Sequence, residues 1–126
     1  MTIKNFKELI VWQKSMDLAE TVYKTVRSFP KEEIYGLSDQ MRRAVVSIPS
    51  NIAEGNQRKT TKEYIHFLFV SKGSLGELET QIMLSGRLNY ITNEQMNALL
   101  SDCQNVGKLL NGLVNSLQNS NFRGES

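Results

Sequence analysis

The chain has 126 residues, of which 40% are apolar and 22% are charged, and its net charge is +2. These values fit one soluble domain with its own core, and they exclude a disordered chain, a fibrous repeat and two ordinary domains. No apolar run approaches the roughly 20 residues that span a bilayer, and the N-terminal apolar patch is too short for a signal peptide. A single cysteine forms no internal disulfide, so a cytoplasmic protein without a membrane partner is expected.

The first half of the chain has the apolar spacing of two helices. Apolar residues recur at three- and four-residue steps over residues 9–26, after Asn5 and Glu8, which are spaced as an N-terminal cap. A second pattern of the same kind covers residues 37–52 and reaches Gly55, a residue type that often ends helices. We therefore predict two helices before the middle of the chain.

The second half predicts two longer helices, each with its own start signal. A Thr-x-x-Glu capping box at residues 60–63 precedes a helical pattern that runs to about residue 89. A Thr-x-x-Gln box at residues 92–95 precedes a pattern of alternating three- and four-residue steps over residues 96–117. This second pattern is typical of a helix that lies along the seam of a bundle.

The predicted architecture follows from these four helices. No segment alternates between apolar and polar residues as a strand would, and the connections between the patterns are short. We predict an all-α protein, an antiparallel up-down-up-down four-helix bundle over residues 1–118. The polar residues 119–126 are expected to form a frayed tail.

Pro49 lies inside the second helical pattern, where a proline costs roughly 3 kcal/mol. Val45, Ile48 and Ile52 nevertheless keep one apolar phase across it. The preserved phase favours a single continuous helix that is kinked at Pro49 over two separate helices. The kink leaves the carbonyl of Val45 without its usual partner, so a side chain, a water molecule or a neighbouring helix is expected to serve it.

A polar stripe follows the opposite side of this second helix. Its members are Arg43, Ser47, Ser50, Asn51, Glu54 and Arg58. These side chains either satisfy a carbonyl that Pro49 leaves free, or they form a polar lining that faces a symmetry axis or a ligand. The two interpretations are compatible with each other.

No residue pattern indicates catalysis. Glu63 and His66 fit a Glu-x-x-His motif, but a di-iron bundle needs that motif twice and the chain has one histidine. Cys103 falls on the apolar seam, where a cysteine usually behaves as a small buried hydrophobe. Gly73 and Gly76 lie inside a helix without the spacing of a phosphate-binding loop, and close approach of a neighbouring helix explains them better. We expect no catalytic residue, metal, cofactor or small-molecule substrate.

Positive charge is concentrated in the first part of the chain. Residues 1–72 hold 12 of the 15 basic side chains and 8 acidic ones, whereas residues 73–126 carry a net charge of −2. A cluster surrounds the second helix and the turn that follows it: Arg42, Arg43, Arg58, Lys59 and Lys62. The cluster is either a solvated polar surface or a surface for RNA or DNA phosphates, and without interleaved aromatic residues it supports only backbone or shape recognition.

The third helix has more apolar surface than one bundle core requires. Large apolar side chains surround its first turns almost completely, and Ile65 and Phe69 are among them. A bundle helix with one face in water does not have this pattern. We therefore expect Ile65 and Phe69 to lie at an interface between subunits.

Most of the chain, about residues 5–117, resembles a known family. Three stretches carry the resemblance: "LIVWQKSMDLAETVY", "FPKEEIYGLSDQMRRAVVSIPSNIAEG" and "KGSLGELETQIMLSGRLNYI". They look like the bacterial four-helix-bundle proteins encoded in intervening sequences of ribosomal RNA genes. The most specific motif covers Arg42, Arg43, Ser47, Ile48, Pro49, Asn51, Ile52, Ala53, Glu54 and Gly55.

The resemblance implies an assembly and a class of partner. The family is similar to the accessory variability determinant of diversity-generating retroelements, a basic pentameric barrel that binds nucleic acid and a reverse transcriptase. It thus implies a homopentamer with RNA, DNA or a nucleoprotein as partner, and it transfers no catalytic residue. The alternative is a purely structural or protein-binding oligomer, and an enzyme with an unrecognised pocket has the least support.

Overall fold

The computed structural model of the protein describes residues 5–124, with side chains as far as residue 119. All regular elements in this part of the chain are helical, which confirms the all-α prediction. The elements are a 3-10 turn at Phe6–Glu8, α1 at Ile10–Val26, a second 3-10 turn at Lys31–Glu33, α2 at Leu37–Asn56, α3 at Thr61–Arg87 and α4 at Asn93–Gly124.

The four helices pack in chain order around one core. Helix α2 packs between α1 and α3, and α4 packs on α3 and also on α1. Adjacent helices joined by short connections at residues 27–36, 57–60 and 88–92 are consistent with the predicted up-down bundle. Every helix contributes fully buried apolar side chains, among them Leu18, Ile48, Leu78 and Leu110.

The N-terminal cap is present but belongs to a different element from the one predicted. The backbone N–H of Lys7 donates to Asn5 Oδ1 at 2.9 Å, and the N–H of Asn5 donates to Glu8 Oε1 at 3.2 Å. These bonds cap the 3-10 turn at Phe6–Glu8, and extended backbone at Leu9 (φ −73°, ψ 128°) separates that turn from α1.

The two predicted capping residues of the later helices are in place. Thr60 Oγ1 accepts from the backbone N–H of Glu63 at 3.1 Å at the start of α3. At the start of α4, Thr92 Oγ1 accepts from the N–H of Gln95 at 3.1 Å, and Gln95 Oε1 accepts from the N–H of Thr92 at 2.8 Å. Both helices therefore begin where their sequence signals place them.

The end of α3 is closed by a left-handed residue. Asn89 has a φ of 60°, and the N–H of Tyr90 donates to the Ser85 carbonyl at 2.9 Å while the N–H of Asn89 donates to that of Gly86 at 3.1 Å. This pair of bonds is a Schellman motif, and asparagine tolerates the left-handed conformation better than most residues. Helix α3 thus ends at Arg87, two residues before the predicted end.

Helix α2 continues through Pro49 without a break, as the preserved apolar phase predicts. The kink at Pro49 stays a prediction. Gly55 does not end the helix, which runs on to Asn56. A Cβ on Gly55 would lie 2.9 Å from the Cβ of Phe67 and 3.1 Å from the carbonyl oxygen of Tyr64. The glycine therefore lets α2 approach α3 closely.

The C-terminal boundary extends beyond the predicted bundle. The backbone of α4 is helical to Gly124, whereas the bundle was predicted to end at residue 118. The side chains from residue 120 onward, and residues 125–126, lie outside the described part of the chain. The frayed tail at 119–126 stays a prediction.

Candidate functional site

Polar side chains on α2 and α3 meet beside Pro49. The hydroxyls of Ser47 and Ser74 are 2.8 Å apart and share a hydrogen bond. The side-chain amide of Asn51 donates to the hydroxyl of Ser47 at 2.9 Å and to its carbonyl at 2.8 Å. Ser47 therefore links α2 to α3 through Ser74, and Asn51 holds the Ser47 side chain from within α2.

Ser71 adds a second, fully buried link between the same helices. Its hydroxyl donates to the carbonyl of Ile48 at 2.8 Å, one residue before Pro49. The carbonyls that receive side-chain donors near the proline are thus those of Ser47 and Ile48. The expectation that a side chain, water or neighbour serves the Val45 carbonyl stays a prediction.

The serines of α3 were not anticipated as functional residues. Ser71 and Ser74 are three residues apart, so both lie on the side of α3 that meets α2. The only signal in the sequence is a pair of serines within an otherwise apolar helical face. Serines on a neighbouring helix can donate hydrogen bonds to carbonyls of a helix that contains a proline, because proline removes a backbone donor.

The rest of the polar stripe is occupied by local ion pairs. Arg43 Nε lies 2.9 Å from Asp39 Oδ2, one turn earlier in α2, and Arg58 Nη2 lies 3.0 Å from Glu54 Oε2. Ser50 is exposed. The stripe is therefore a set of separate local contacts.

The five predicted basic residues do not form one cluster. Arg42 lies in the first half of α2, whereas Arg58 follows its C-terminus. Their separation of sixteen positions corresponds to about 24 Å of helix. Arg58 and Lys59 lie in the turn between α2 and α3, and Lys62 lies in the first turn of α3. Arg42 and Arg43 lie toward the other end of α2.

The arginines in the first half of α2 already have partners. Arg42 Nη2 donates to the carbonyl of Ile34 at 3.3 Å, and Arg43 pairs with Asp39. With Tyr23, Val46 and Ser47 they line a shallow pocket of about 420 Å³ between α1 and α2. The carboxylate of Asp39 also lines this pocket, and its negative charge lowers the attraction of the pocket for an anion.

The second group, at residues 58–62, combines one held arginine with two lysines. The guanidinium of Arg58 contacts Glu54, lies 4.0 Å from Glu63 Oε2, and stands 4.6 Å from the centre of the Phe67 ring. Lys59 and Lys62 are exposed and form no ion pair with the described residues. We call Arg58, Lys59 and Lys62 the basic turn.

The predicted interface residues have different environments. Ile65 is partly buried and packs against the bundle's own core, which accounts for its apolar side chain without a second subunit. Phe69 is 50% exposed. The surplus apolar surface of α3 thus lies farther along the helix than Ile65.

Helix α3 has an uncovered apolar surface on the side away from the core. We call it the outer face, and its members are Phe69, Val70, Gly73, Gly76, Met83 and Leu84. Met83 is 51% exposed, about as much as Phe69. A Cβ built on Gly73 or Gly76 meets no other atom within 4 Å. The helix predicted to approach these glycines is therefore not one of the described helices of the same chain.

A groove of about 510 Å³ lies between α1 and α4. Its apolar lining is Ile10, Leu18, Val106 and Leu109, and its polar lining is Lys14, Asp17, Thr21, Asp102, Asn105 and Lys108. Leu18 and Val106 are nearly inaccessible, so they form its floor, whereas Ile10 remains 60% exposed. Two lysines and two aspartates give this groove no net charge.

The chain's best candidates for reactive groups are poorly placed for catalysis. Cys103 is fully buried, and this burial, with smaller contributions from Glu79 and Asp102, raises its pKa to about 12. His66 is exposed and packs edge-on against Phe67. Among the described residues, no three His, Cys, Asp or Glu side chains are grouped closely enough to hold a metal ion, and no helix is long and apolar enough to cross a membrane.

Comparison with known proteins places the fold and its motif in a family. Residues 7–112 match the family model described as 23S rRNA-intervening sequence protein. Among solved structures, the chain is similar to a protein of unknown function from the S23 ribosomal protein family of Bacteroides thetaiotaomicron. The identity is 28% and the TM-score 0.75, and the match covers 83% of this chain and 98% of that chain. No curated protein matches the chain.

The family match covers all of α1, α2 and α3 and most of α4. It therefore includes the proline-containing segment with its serine and asparagine contacts, the basic turn and the outer face of α3. The chain belongs to the family of 23S rRNA-intervening sequence proteins.

Proposed function

We propose that the protein is a non-catalytic oligomer that contacts the phosphates of RNA or DNA through its basic turn. The observation that carries this proposal is the pair Lys59 and Lys62, which are exposed and unpaired among the described residues. The family's name refers to an intervening sequence of 23S rRNA, and structured RNA is therefore the first partner to test. A cytoplasmic location is part of the proposal.

The contacts of Arg58 distinguish it from the two exposed lysines of the basic turn. Two carboxylates and the Phe67 ring hold the guanidinium, so Arg58 shapes the turn more than it offers free charge. A lysine ammonium acts as a point charge toward phosphate and needs no fixed geometry. Lys59 and Lys62 are therefore the primary phosphate contacts, and Arg58 supports them.

The proposed recognition is independent of base sequence. Tyr64 is buried and the Phe67 ring is covered by Arg58, so neither ring beside the basic turn is free to stack on a base. Contacts limited to phosphates release counterions, and affinity then falls steeply and log-linearly with salt. A homopentamer, which the family resemblance implies, multiplies one weak contact by repeating it on each subunit.

Fluorescence anisotropy with structured RNA and duplex DNA at several salt concentrations tests this function. Lys59→Gln/Lys62→Gln should weaken binding to all sequences and reduce the slope of log K against log salt by about 2 on duplex DNA. Lys24→Gln/Lys31→Gln removes the same charge from exposed lysines elsewhere and should leave the slope nearly unchanged. No binding by the wild-type protein at low salt would overturn the nucleic-acid part of the proposal.

A second candidate function is a purely structural or protein-binding oligomer. Arg42, Arg43 and Arg58 all have partners within the chain, which leaves less free positive charge than the sequence suggests. The uncovered apolar surface of α3 suits a protein partner better than a nucleic acid. This candidate is the one that remains if the anisotropy experiment gives no binding.

A further inference from the structure

We propose that Glu54 and Glu63 withhold Arg58 from phosphates and thereby limit the basic turn to its two lysines. The inference rests on the proposed function, because it assigns an autoinhibitory contact to the phosphate-binding site named there. It adds that two carboxylates set the affinity of that site, and that the affinity rises when their charges are removed.

The guanidinium of Arg58 is engaged on two edges and on one face. Its Nη2 lies 3.0 Å from Glu54 Oε2, and its Nη1 lies 4.0 Å from Glu63 Oε2. Its central carbon stands 4.6 Å from the centre of the Phe67 ring. Phosphate recognition by arginine typically uses two guanidinium nitrogens in parallel. In Arg58, both terminal nitrogens already have a carboxylate beside them.

The cap of α3 holds one of these carboxylates in place. The hydroxyl of Thr60 donates to Glu63 Oε1 at 3.2 Å, and it accepts from the backbone N–H of Glu63 at 3.1 Å. One oxygen of Glu63 therefore belongs to the cap, and the other is directed toward Arg58. A negative charge in the first turn of a helix is favourable, so the fold keeps this carboxylate at the basic turn.

The second carboxylate belongs to Glu54, which lies in the last turn of α2, four residues before Arg58. The side chains of Glu54 and Arg58 are 52% and 41% exposed. A single exposed ion pair adds little stability, whereas several charges in a network hold one another more firmly. Arg58 has such a network, because Glu63 and the Phe67 ring add to its contact with Glu54.

The charge balance of the turn shows what this network does to a phosphate. Residues 54–63 contain three basic and two acidic side chains, which leave a net charge of +1. A phosphate that approaches Arg58 has to displace Glu54 and to come close to two negative charges. Lys59 and Lys62 form no ion pair with the described residues, so a phosphate reaches them without this competition.

A purely structural role of the two glutamates makes a different prediction. Glu63 would then serve only the cap of α3, and Glu54 would only stabilise the end of α2 through its pair with Arg58. Glutamine is as good as glutamate in a capping box and is a similar helix former. Glu54→Gln/Glu63→Gln therefore removes both charges and preserves the local structure.

The salt dependence of binding to duplex DNA, followed by fluorescence anisotropy, tests the inference. Arg58 should become a third phosphate contact in Glu54→Gln/Glu63→Gln, so the slope of log K against log salt should steepen by about 0.9. If the gain vanishes near 1 M salt, this slope corresponds to an affinity about eightfold higher at 0.1 M. A purely structural role of the glutamates would leave the slope unchanged.

Two further variants separate the release of Arg58 from a general change of charge. Glu20→Gln/Glu94→Gln removes the same charge at exposed positions, on α1 and at the start of α4 beyond the far end of α3, and it should leave the slope nearly unchanged. Adding Arg58→Gln to Glu54→Gln/Glu63→Gln should return the slope to the wild-type value, because the released contact is then missing.

The outcomes distinguish this inference from the proposed function. Binding by the wild type with a slope that Glu54→Gln/Glu63→Gln does not change would overturn the inference and leave the proposed function standing. An equal gain with and without Arg58 would also overturn the inference, because the carboxylates would then act by repulsion alone. Binding by the glutamine variant but not by the wild type would support the inference and overturn the proposed function. No binding by either protein at low salt would overturn both.

Discussion

The hydroxyl of Ser71 donates a 2.8 Å hydrogen bond to the carbonyl of Ile48, the residue immediately before Pro49. Both residues are fully buried, so water does not compete for this bond. The bond joins α3 to α2 at the point where α2 lacks a backbone donor. It therefore fixes α3 against α2 directly beside Pro49.

Replacing Ser71 with alanine should destabilise the protein by about 1 kcal/mol, the typical net value of one hydrogen bond. The change is small in volume and leaves the apolar packing around it nearly intact. The urea midpoint measures the effect. Thr80→Ala removes a comparable hydroxyl bond on the exposed side of α3, to the carbonyl of Gly76, and should change stability by less than about 0.5 kcal/mol. Equal losses in both variants would contradict a special role for Ser71.

Gly55→Ala should destabilise the protein by about 1–3 kcal/mol, the usual range for overpacking a tight contact. The new methyl group would meet the Cβ of Phe67 at 2.9 Å and the backbone of Tyr64 at 3.1 Å, and backbone cannot swing away. Thermal unfolding followed by circular dichroism measures the effect. Gly112→Ala is the control, because its Cβ position is open and alanine there should stabilise α4 by up to about 1 kcal/mol. Stabilisation by both substitutions would show that α2 and α3 can separate freely.

The helices and most of their ends could be predicted because local signals determine them. The spacing of apolar residues and the Thr92 and Gln95 capping pair are visible within a few residues of sequence. The cap at Asn5 and Glu8 was located correctly but assigned to α1, because a capping motif does not specify whether a 3-10 turn or an α-helix follows it. The role of Gly55 depends on how closely α3 approaches, which no local pattern encodes.

The candidate site was harder to predict because its contacts depend on distances along and between helices. Arg43 and Glu54 share the polar stripe, but a separation of eleven residues places them about 16 Å apart along the helix. Asp39, one turn away, is the actual partner of Arg43 and was available from the i, i+4 rule. The basic residues were grouped by their nearness in sequence, although the length of α2 separates Arg42 from Arg58.

Cys103 should be inert toward thiol reagents in the native protein. Burial raises its pKa to about 12 and keeps solvent away from the sulfur, whereas the thiolate is the reactive form. Labelling with a disulfide reagent at pH 8 should therefore proceed only as fast as the protein opens, and it should become immediate in urea. Rapid labelling without denaturant would indicate that the seam between α3 and α4 opens readily.

Acidification should destabilise the end of the bundle where the carboxylate of Glu33 joins the start of α2 to the connection between α3 and α4. The backbone N–H of Leu37 and, to a lesser degree, the hydroxyl of Tyr90 donate to its carboxylate and lower its pKa. A lowered pKa stabilises the fold above the pKa of the unfolded chain, and this contribution is lost as the pH falls through the folded value. Tyr90→Phe removes one donor, so its urea midpoint should fall less than that of the wild type between pH 6 and acidic pH. Parallel curves would contradict the coupling.

The same contact should act in the opposite direction at high pH. The hydrogen bond to Glu33, followed by burial and the negative charges of Glu33 and Glu32, raises the pKa of Tyr90. A raised pKa stabilises the fold below the pKa of the unfolded tyrosine, and this contribution is lost as the pH rises through the folded value. The difference in tyrosinate absorbance between wild type and Tyr90→Phe isolates the titration of this residue among the four tyrosines. Glu33→Gln removes the carboxylate charge, so that titration should move to lower pH; an unchanged titration would show that Tyr90 does not depend on Glu33 in solution.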